Sequence, residues 1–325
     1  MSQYKIVFTD YYYPSNEQEI KILQGLGDVE IIDGTKITQG GLRDEDSILT
    51  YARDADAVIV QFARITQDVI QGLEKCKIIS RYAIGVDNID VHAAKNKGIV
   101  VANVPGYCLE EVSDNTLAHM MNCIRKVSLA SSLLFNGEWE YQKIKPIHRF
   151  SNYTVGLFAF GSIARRVAEK LRGFGVTILA YDPYFKDKKS YKWMQFVSME
   201  ELLSKSDILS VHAPLNKETY HLFDKEKFTC MKDGVIIINT SRGGLIDEKA
   251  LADAIESGKV SMCGLDVLEY EDTDYHKSIL LKYPGRVIIT PHMSWYSEES
   301  IVDLQKKTAL NVYEMLKNGK PLYSV

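Results

Sequence analysis

Thr154-Val-Gly-Leu-Phe-Ala-Phe-Gly-Ser-Ile-Ala164 is the most informative stretch of the sequence. An apolar, β-branched run leads into Ala159-Phe-Gly161-Ser-Ile-Ala164, and an amphipathic pattern, RRVAEKLRGFG (165–175), follows. Strand, tight turn and helix form the context in which Gly-x-Gly-x-x-Gly, or Ala at the last position, binds a dinucleotide. The first glycine makes the turn, the second lets backbone approach a pyrophosphate, and the third packs the helix on the strand. The helix N-terminus then stabilises the phosphates. Here the three positions are Ala159, Gly161 and Ala164. Gly161 is kept where a side chain would meet phosphate, whereas Ala159 departs from the pattern and puts the turn geometry and cofactor affinity in question. Asp182 closes the next run, VTILAYD (176–182), 21 residues after Gly161. An acidic residue there accepts hydrogen bonds from adenine-ribose hydroxyls and repels a 2′-phosphate, which favours NAD over NADP. Asp182 also opens an Asp-Pro turn, and Lys186, Lys188 and Lys189 follow it.

Working outward, the same alternation of short apolar runs and helical patterns fills the chain. Before the fingerprint the runs are KIVFT (5–9), VEIID (29–33), AVIVQ (57–61), KIIS (77–80) and IVVAN (99–103). From it onward they are TVGLFAF (154–160), VTILAYD (176–182), ILSVHA (208–213), VIIINT (235–240), CGLDV (263–267) and VIIT (287–290). Continuous apolar strands belong to parallel sheets covered by helices on both faces. The expectation is an α/β protein of two doubly wound parallel-sheet domains, with a substrate domain preceding the dinucleotide domain. Ser198-Met-Glu-Glu201 reads as a capping box, and Asp247 as the cap of a helix that Gly258 ends. One long helix is expected from about Ser113 to Phe135, with 136–153 as a connecting loop.

Composition narrows the class. At roughly 150 residues per domain, 325 residues suggest two domains. A net charge of −4 excludes a basic nucleic-acid footprint as the main business of the chain. No run approaches the roughly 18 apolar residues of a membrane span, and the N-terminus leads straight into a strand rather than a signal peptide. Five cysteines without a Cys-x-x-Cys pair offer no zinc ribbon or thioredoxin-type site and no metal is expected. Each reads as a small buried hydrophobe in a reducing, cytoplasmic setting.

Three further segments lie where strands run out: NTSRGGLID (239–247), GLDVLEYED (264–272) and TPHMSWYSEE (290–299). Ligands of open α/β sheets bind beyond the carboxyl ends of strands, so the three can converge. They supply Arg242, the carboxylates Asp266, Glu269 and Glu271, and His292. Each alone is more often structural: a surface ion pair for the arginine, a hydrogen-bonder for the histidine. Together behind a fingerprint they suit reduction of a 2-oxo acid. Arginine holds the carboxylate and polarises the carbonyl, histidine donates a proton as hydride arrives, and a carboxylate stabilises the imidazolium.

The whole set resembles the D-isomer-specific 2-hydroxyacid dehydrogenase family. RYAIGVDNID (81–90), GIVVANVPGY (98–107), TVGLFAFGSIA (154–164), YDPY (181–184), VHAPL (211–215), NTSRGG (239–244), GLDV (264–267) and TPH (290–292) carry the resemblance over nearly the whole chain. Trp295, three residues after His292, and Arg81 further resemble the C-terminal-binding-protein-like subgroup. The resemblance implies a catalytic triad of Arg242, Glu271 and His292. Glu269 is the neighbour open to confusion with Glu271, and Asp272 stands where the family usually has proline. It implies a flavodoxin-like substrate domain from 1–103 and 293–325 around a Rossmann NAD-binding domain from 104–292. It places Gly161, Ser162 and Ile163 at the pyrophosphate and Asp182 at the ribose. Ala213, Pro214 and Thr219 fall beside adenine, and Thr240, Ser241 and Asp266 around the nicotinamide. Arg81, Ile84, Gly85 and Trp295 are implied at the substrate. A homodimer through the NAD-binding domains is implied as well, with the helix near 113–135 and the loop after it as its surface.

The resulting expectation is NAD-dependent reduction of a 2-oxo acid to a D-2-hydroxy acid. Trp295, with Tyr12, Tyr13 and Tyr107, suggests a medium apolar or thioether side chain. Glyoxylate or hydroxypyruvate is an alternative; 3-phosphoglycerate ranks lower, since no basic cluster for phosphate is obvious and a regulatory domain has no room. The rival from another class is an NAD(H)-sensing, corepressor-like interaction module with little turnover, and the absence of a long disordered tail weighs against it.

Overall fold

Ala57, Val58, Ile59 and Val60 are all fully buried, and a strand that is apolar on both sides has to be covered on both faces. Such strands build two parallel sheets in the structure, a computed structural model that describes residues 3–325, the side chains of Asp272 and Thr273 apart. The chain divides into two units. One comprises the residues up to Tyr107 together with Ser297–Val325, and the other Cys108–Tyr296. Both crossing points fall four residues beyond the expected 103/104 and 292/293.

The first unit holds β1 (Tyr4–Phe8), β2 (Val29–Asp33), β3 (Ala57–Val60), β4 (Ile78–Arg81) and β5 (Val100–Ala102). Their order is β2-β1-β3-β4-β5, all parallel, which is the flavodoxin-like winding. The C-terminal helix Glu298–Asn318 packs on β4 and on the helix Glu17–Leu23. Polar ties fix it there: Ser80 Oγ donates to the Thr308 carbonyl at 3.0 Å and Asn311 Nδ2 to the Asn103 carbonyl at 2.9 Å.

The second unit holds β6 (Thr154–Phe158), β7 (Thr177–Tyr181), β8 (Gln195–Phe196), β9 (Ile208–Val211), β10 (Val235–Asn239), β11 (Val260–Leu265) and β12 (Val287–Ile289). The parallel order is β12-β11-β10-β9-β6-β7-β8. Strand order reverses between β6 and β9, so the switch-point crevice of a Rossmann fold opens at their carboxyl ends. Two apolar clusters cover the two faces of this sheet, and one separate cluster forms the core of the first unit. The two-residue β8 carries no periodic signal and escapes sequence reading.

The capping box at Ser198 and Glu201 forms, and Asp247 caps its helix through the Lys249 and Ala250 amides. The long helix expected from Ser113 does not form as one piece. It begins earlier, at Leu109, and breaks into Leu109–Arg125 and Val127–Phe135. Lys126 stands at φ +54, outside helical space, and Asn122 spans the break by accepting from the Ser128 amide and donating to its hydroxyl. Four cysteines are buried as expected; Cys230 is exposed. Among the described residues, no helix is long and apolar enough to cross a membrane.

Candidate active site

The turn after β6 keeps its shape despite the alanine. Ala159 adopts φ +66, the left-handed conformation that glycine takes freely and that costs an L-residue about 1–2 kcal/mol. Two anchors hold it. The Ala159 amide donates to the Tyr181 carbonyl at 2.9 Å, and the next residue, Phe160, is fully buried against the rings of Phe185, Tyr191 and Phe196. Gly161 then caps the helix Ser162–Leu171 with no side-chain partner for the first-turn amides, and a Cβ at Gly161 would meet nothing within 4 Å. Open space over unsatisfied helix amides fits a pyrophosphate. Ser162 accepts from Arg165, Ile163 packs half-buried on the core, and Ala164 is fully buried under the strand.

Asp182 stands at the end of β7, but its carboxylate is already engaged. It accepts from the amides of Phe160 (2.8 Å), Tyr184 (2.8 Å) and Phe185 (3.0 Å), so it also clasps the glycine loop. Three of its roughly four acceptor sites are used, one remaining for a ribose hydroxyl. After β9, Ala213 is buried, and Thr219 Oγ1 donates to the Pro214 carbonyl at 2.7 Å, closing that turn.

Arg242, Glu271 and His292 follow three adjacent strands, β10, β11 and β12. Asn239, buried at the end of β10, shapes the first loop by accepting from the Ser241 amide and hydroxyl and donating to the Arg242 carbonyl at 2.9 Å. Thr240 Oγ1 lies 2.8 Å from Thr116 Oγ1, and Arg242 Nη1 donates to the Ser241 carbonyl. Gly243 has to be glycine, because a Cβ there would come within 1.9 Å of the Leu268 carbonyl oxygen. The Arg242 loop thus touches the backbone that leads to Glu271.

Asp266, buried, organises the third loop rather than presenting a free carboxylate. It accepts from the Thr290 hydroxyl and from the amides of Met293 (3.0 Å) and Ser294 (2.8 Å), and its carbonyl accepts from the His292 amide at 2.9 Å. His292 is held at φ +49, and Trp295 Nε1 caps its carbonyl at 2.9 Å. In this pose His292 Nδ1 lies 2.8 Å from Glu271 Oε2. Glu269 instead faces His221 Nε2 at 2.9 Å. With Nδ1 on a carboxylate, the opposite nitrogen, Nε2, is the one available to a reacting oxygen. Two buried polar residues beneath the loop were not singled out from the sequence. His119 Nε2 lies 3.0 Å from Thr290 Oγ1, whose own proton goes to Asp266, so the imidazole donates. Burial holds the His119 imidazole below its usual range, partly offset by Asp266. Neither His119 nor Thr116 stands in a motif; only their helical position facing β10 and β11 brings them here.

Arg81, Ile84 and Gly85 lie in the first unit. Arg81 Nη1 donates to the Gly85 carbonyl at 2.7 Å, and Asn103 Nδ2 to the Ile84 carbonyl at 2.7 Å, which shapes the loop after β4.

Residues 117–294 match the D-isomer specific 2-hydroxyacid dehydrogenase NAD binding domain. A hydroxypyruvate reductase of Thermotoga maritima is 34% identical over 97% of this chain and 98% of its own length. A D-3-phosphoglycerate dehydrogenase of Methanocaldococcus jannaschii is 36% identical over 96% of this chain, which spans 57% of that relative. Among solved structures, a glyoxylate reductase from Paecilomyes thermophila superposes with a TM-score of 0.88 at 27% identity, over 100% of this chain and 99% of that one. The chain belongs to the D-isomer-specific 2-hydroxyacid dehydrogenase family, and its second unit is of the NAD-binding kind.

Proposed function

We propose that the protein is an NAD-dependent dehydrogenase that reduces a 2-oxo acid to a D-2-hydroxy acid. The observation that carries this is the His292–Glu271 pair, 2.8 Å apart, in a unit whose glycine turn leaves helix amides without a side-chain cap. NADH, held at Gly161, Ser162 and Ile163, would supply hydride chemistry for the carbonyl carbon. Arg242 binds the substrate carboxylate and polarises the carbonyl. His292 donates a proton from Nε2 to the carbonyl oxygen, and Glu271 holds the ring through Nδ1. Thr240, Ser241 and Asp266 are assigned to the nicotinamide side; Ala213, Pro214 and Thr219 to adenine. Asp182 at the end of β7 supports NAD over NADP, an acidic residue there disfavouring a 2′-phosphate.

Trp295 beside His292 supports an apolar side chain on the substrate. The names of the relatives add hydroxypyruvate, glyoxylate and D-3-phosphoglycerate, whose oxo acid is 3-phosphohydroxypyruvate, as competitors. The test is NADH oxidation at 340 nm across these acids, pyruvate, 2-oxoisocaproate, phenylpyruvate and 4-methylthio-2-oxobutyrate. His292→Gln is expected to lose about 10²–10⁴ in kcat with NADH binding intact. Near wild-type turnover in that variant, or no turnover of any acid by the wild type despite NADH binding, would count against the assignment; the latter would favour a cofactor-sensing interaction protein.

The reading includes a homodimer through the NAD-binding unit. Its support is the helix Val127–Phe135, apolar in sequence yet without one buried residue. Phe135 is 90% exposed and Trp139 85%, with Val127, Leu134 and Tyr141 exposed beside them in sequence. Phe135→Glu combined with Trp139→Glu is expected to convert a dimer to a monomer in light scattering; an unchanged mass would remove this surface from consideration.

A further inference from the structure

The second unit contains another imidazole–carboxylate pair, whose carboxylate stands two residues before that of the first. Glu269 Oε1 accepts from His221 Nε2 at 2.9 Å and from the Tyr220 hydroxyl at 3.2 Å, and the Tyr220 and His221 rings stack with centroids 3.9 Å apart. We propose that Glu269, with His221 and Tyr220, is a positioning clamp that joins the loop of Arg242 to the loop of Glu271. It rests on the functional reading above and adds to it which residues hold the catalytic groups in register.

Each end of the clamp reaches one loop. The His221 amide donates to the Gly244 carbonyl at 2.8 Å, two residues after Arg242. Phe223 continues the same pairing by donating to the Leu245 carbonyl at 3.0 Å. At the other end Glu269 stands two residues before Glu271, and its own amide is fixed by Glu248 Oε1 at 2.7 Å. Glu248 Oε2 in turn takes the Ser278 hydroxyl, so the carboxylate of Glu248 pins the far side of the loop. Between the two ends, Gly243 lies against the Leu268 carbonyl and Glu269 amide with no room for a Cβ. His221 sits at φ +49, a conformation that a non-glycine residue keeps only where its surroundings over-determine it. A backbone contact as close as that at Gly243 transmits a shift of either loop to the other. The clamp therefore sets the spacing of Arg242 from Glu271, and through Glu271 the direction of His292. A misplacement of about 1 Å in such a group can cost 10²-fold in rate.

Glu269→Ala is expected to lower kcat/KM at least tenfold, mainly in kcat, with the NADH dissociation constant unchanged. Glu269→Gln keeps an oxygen for both hydrogen bonds and is expected within threefold of wild type. A readout independent of turnover is the low-field imidazole N–H proton resonance of His292, assigned by its disappearance in His292→Gln. Loss or broadening of that resonance in Glu269→Ala, with return in Glu269→Gln, is the expected result. A His292 resonance unchanged in Glu269→Ala overturns the proposal whether or not a substrate is turned over. A kcat/KM within twofold of wild type, or a Gln variant as impaired as Ala, overturns it equally. Should Glu269→Ala fail to fold, His221→Ala opens the clamp from the other side and is read in the same way. Turnover that survives His292→Gln would instead remove the functional reading itself.

Discussion

Glu271 Oε2 meets His292 Nδ1 at 2.8 Å while His292 holds a left-handed backbone at φ +49. An L-residue gives up about 1–2 kcal/mol in that conformation. Neighbours on both sides hold it: the Asp266 carbonyl takes the His292 amide, and the Trp295 indole caps the His292 carbonyl. In this pose one ring nitrogen, Nδ1, faces Glu271.

Removing the charge of Glu271 while keeping its shape tests that relationship. Glu271→Gln is expected to lower kcat by about tenfold to a hundredfold, since the amide still orients the ring but no longer stabilises an imidazolium. NADH affinity and Tm should stay at wild-type values. Stopped-flow turnover beside fluorescence titration separates the two quantities, and weakened NADH binding with kcat preserved would contradict the role given to Glu271.

Ala159 holds the other strained turn. Ala159→Gly removes a left-handed penalty of about 1–2 kcal/mol and adds about 0.5–1 kcal/mol of backbone entropy cost. A net gain of between zero and about 1.5 kcal/mol should appear as a Tm increase of up to about 5 °C in calorimetry. A fall in Tm would mean that the alanine methyl contributes packing that outweighs the strain.

The two glycines at Gly161 and Gly243 should respond oppositely to the same change. Gly161→Ala adds a methyl in open space, so the apoprotein should melt as wild type while NADH binds at least tenfold more weakly. Gly243→Ala drives a methyl into the Leu268 carbonyl and should destabilise the fold by several kcal/mol. Thermal melts with and without NADH distinguish them. Unchanged NADH affinity in Gly161→Ala would mean that the Gly161 site is not the cofactor contact.

His119 links pH to stability. Burial depresses its folded-state value below the ordinary imidazole value of 6.5, so the unfolded chain binds the proton more readily. Its contribution is present above about pH 6.5 and is lost as pH falls through the depressed value. Chemical-denaturation midpoints should therefore decline more steeply between about pH 7 and 5 for wild type than for His119→Gln, which can still donate to Thr290. Parallel curves would show that this imidazole is not the responsible group.

Short-range pattern made much of this protein legible. Apolar runs announced strands because a parallel sheet buries both faces of each strand. Ser198, Glu201 and Asp247 announced helix starts because a cap needs only its own first turn. Gly161 and Asp182 announced the turn after β6 and the end of β7 through a spacing that one βαβ unit imposes. The helix break at Lys126 was invisible, since the apolar period runs on through it while the backbone turns left-handed there and the Asn122–Ser128 pairing spans it.

What tertiary structure alone decided is which partner each polar group takes. Glu269 and Glu271 are two residues apart in one loop, yet one meets His221 and the other His292. Asp266 is one of three candidate carboxylates in sequence and proves to anchor the His292 loop, while Asp182 also clasps the glycine turn. Residue type and spacing supply the chemical groups. Their pairing depends on how loops from adjacent strand ends close against each other, and that closure rests on contacts such as Gly243 with Leu268, between residues 25 positions apart.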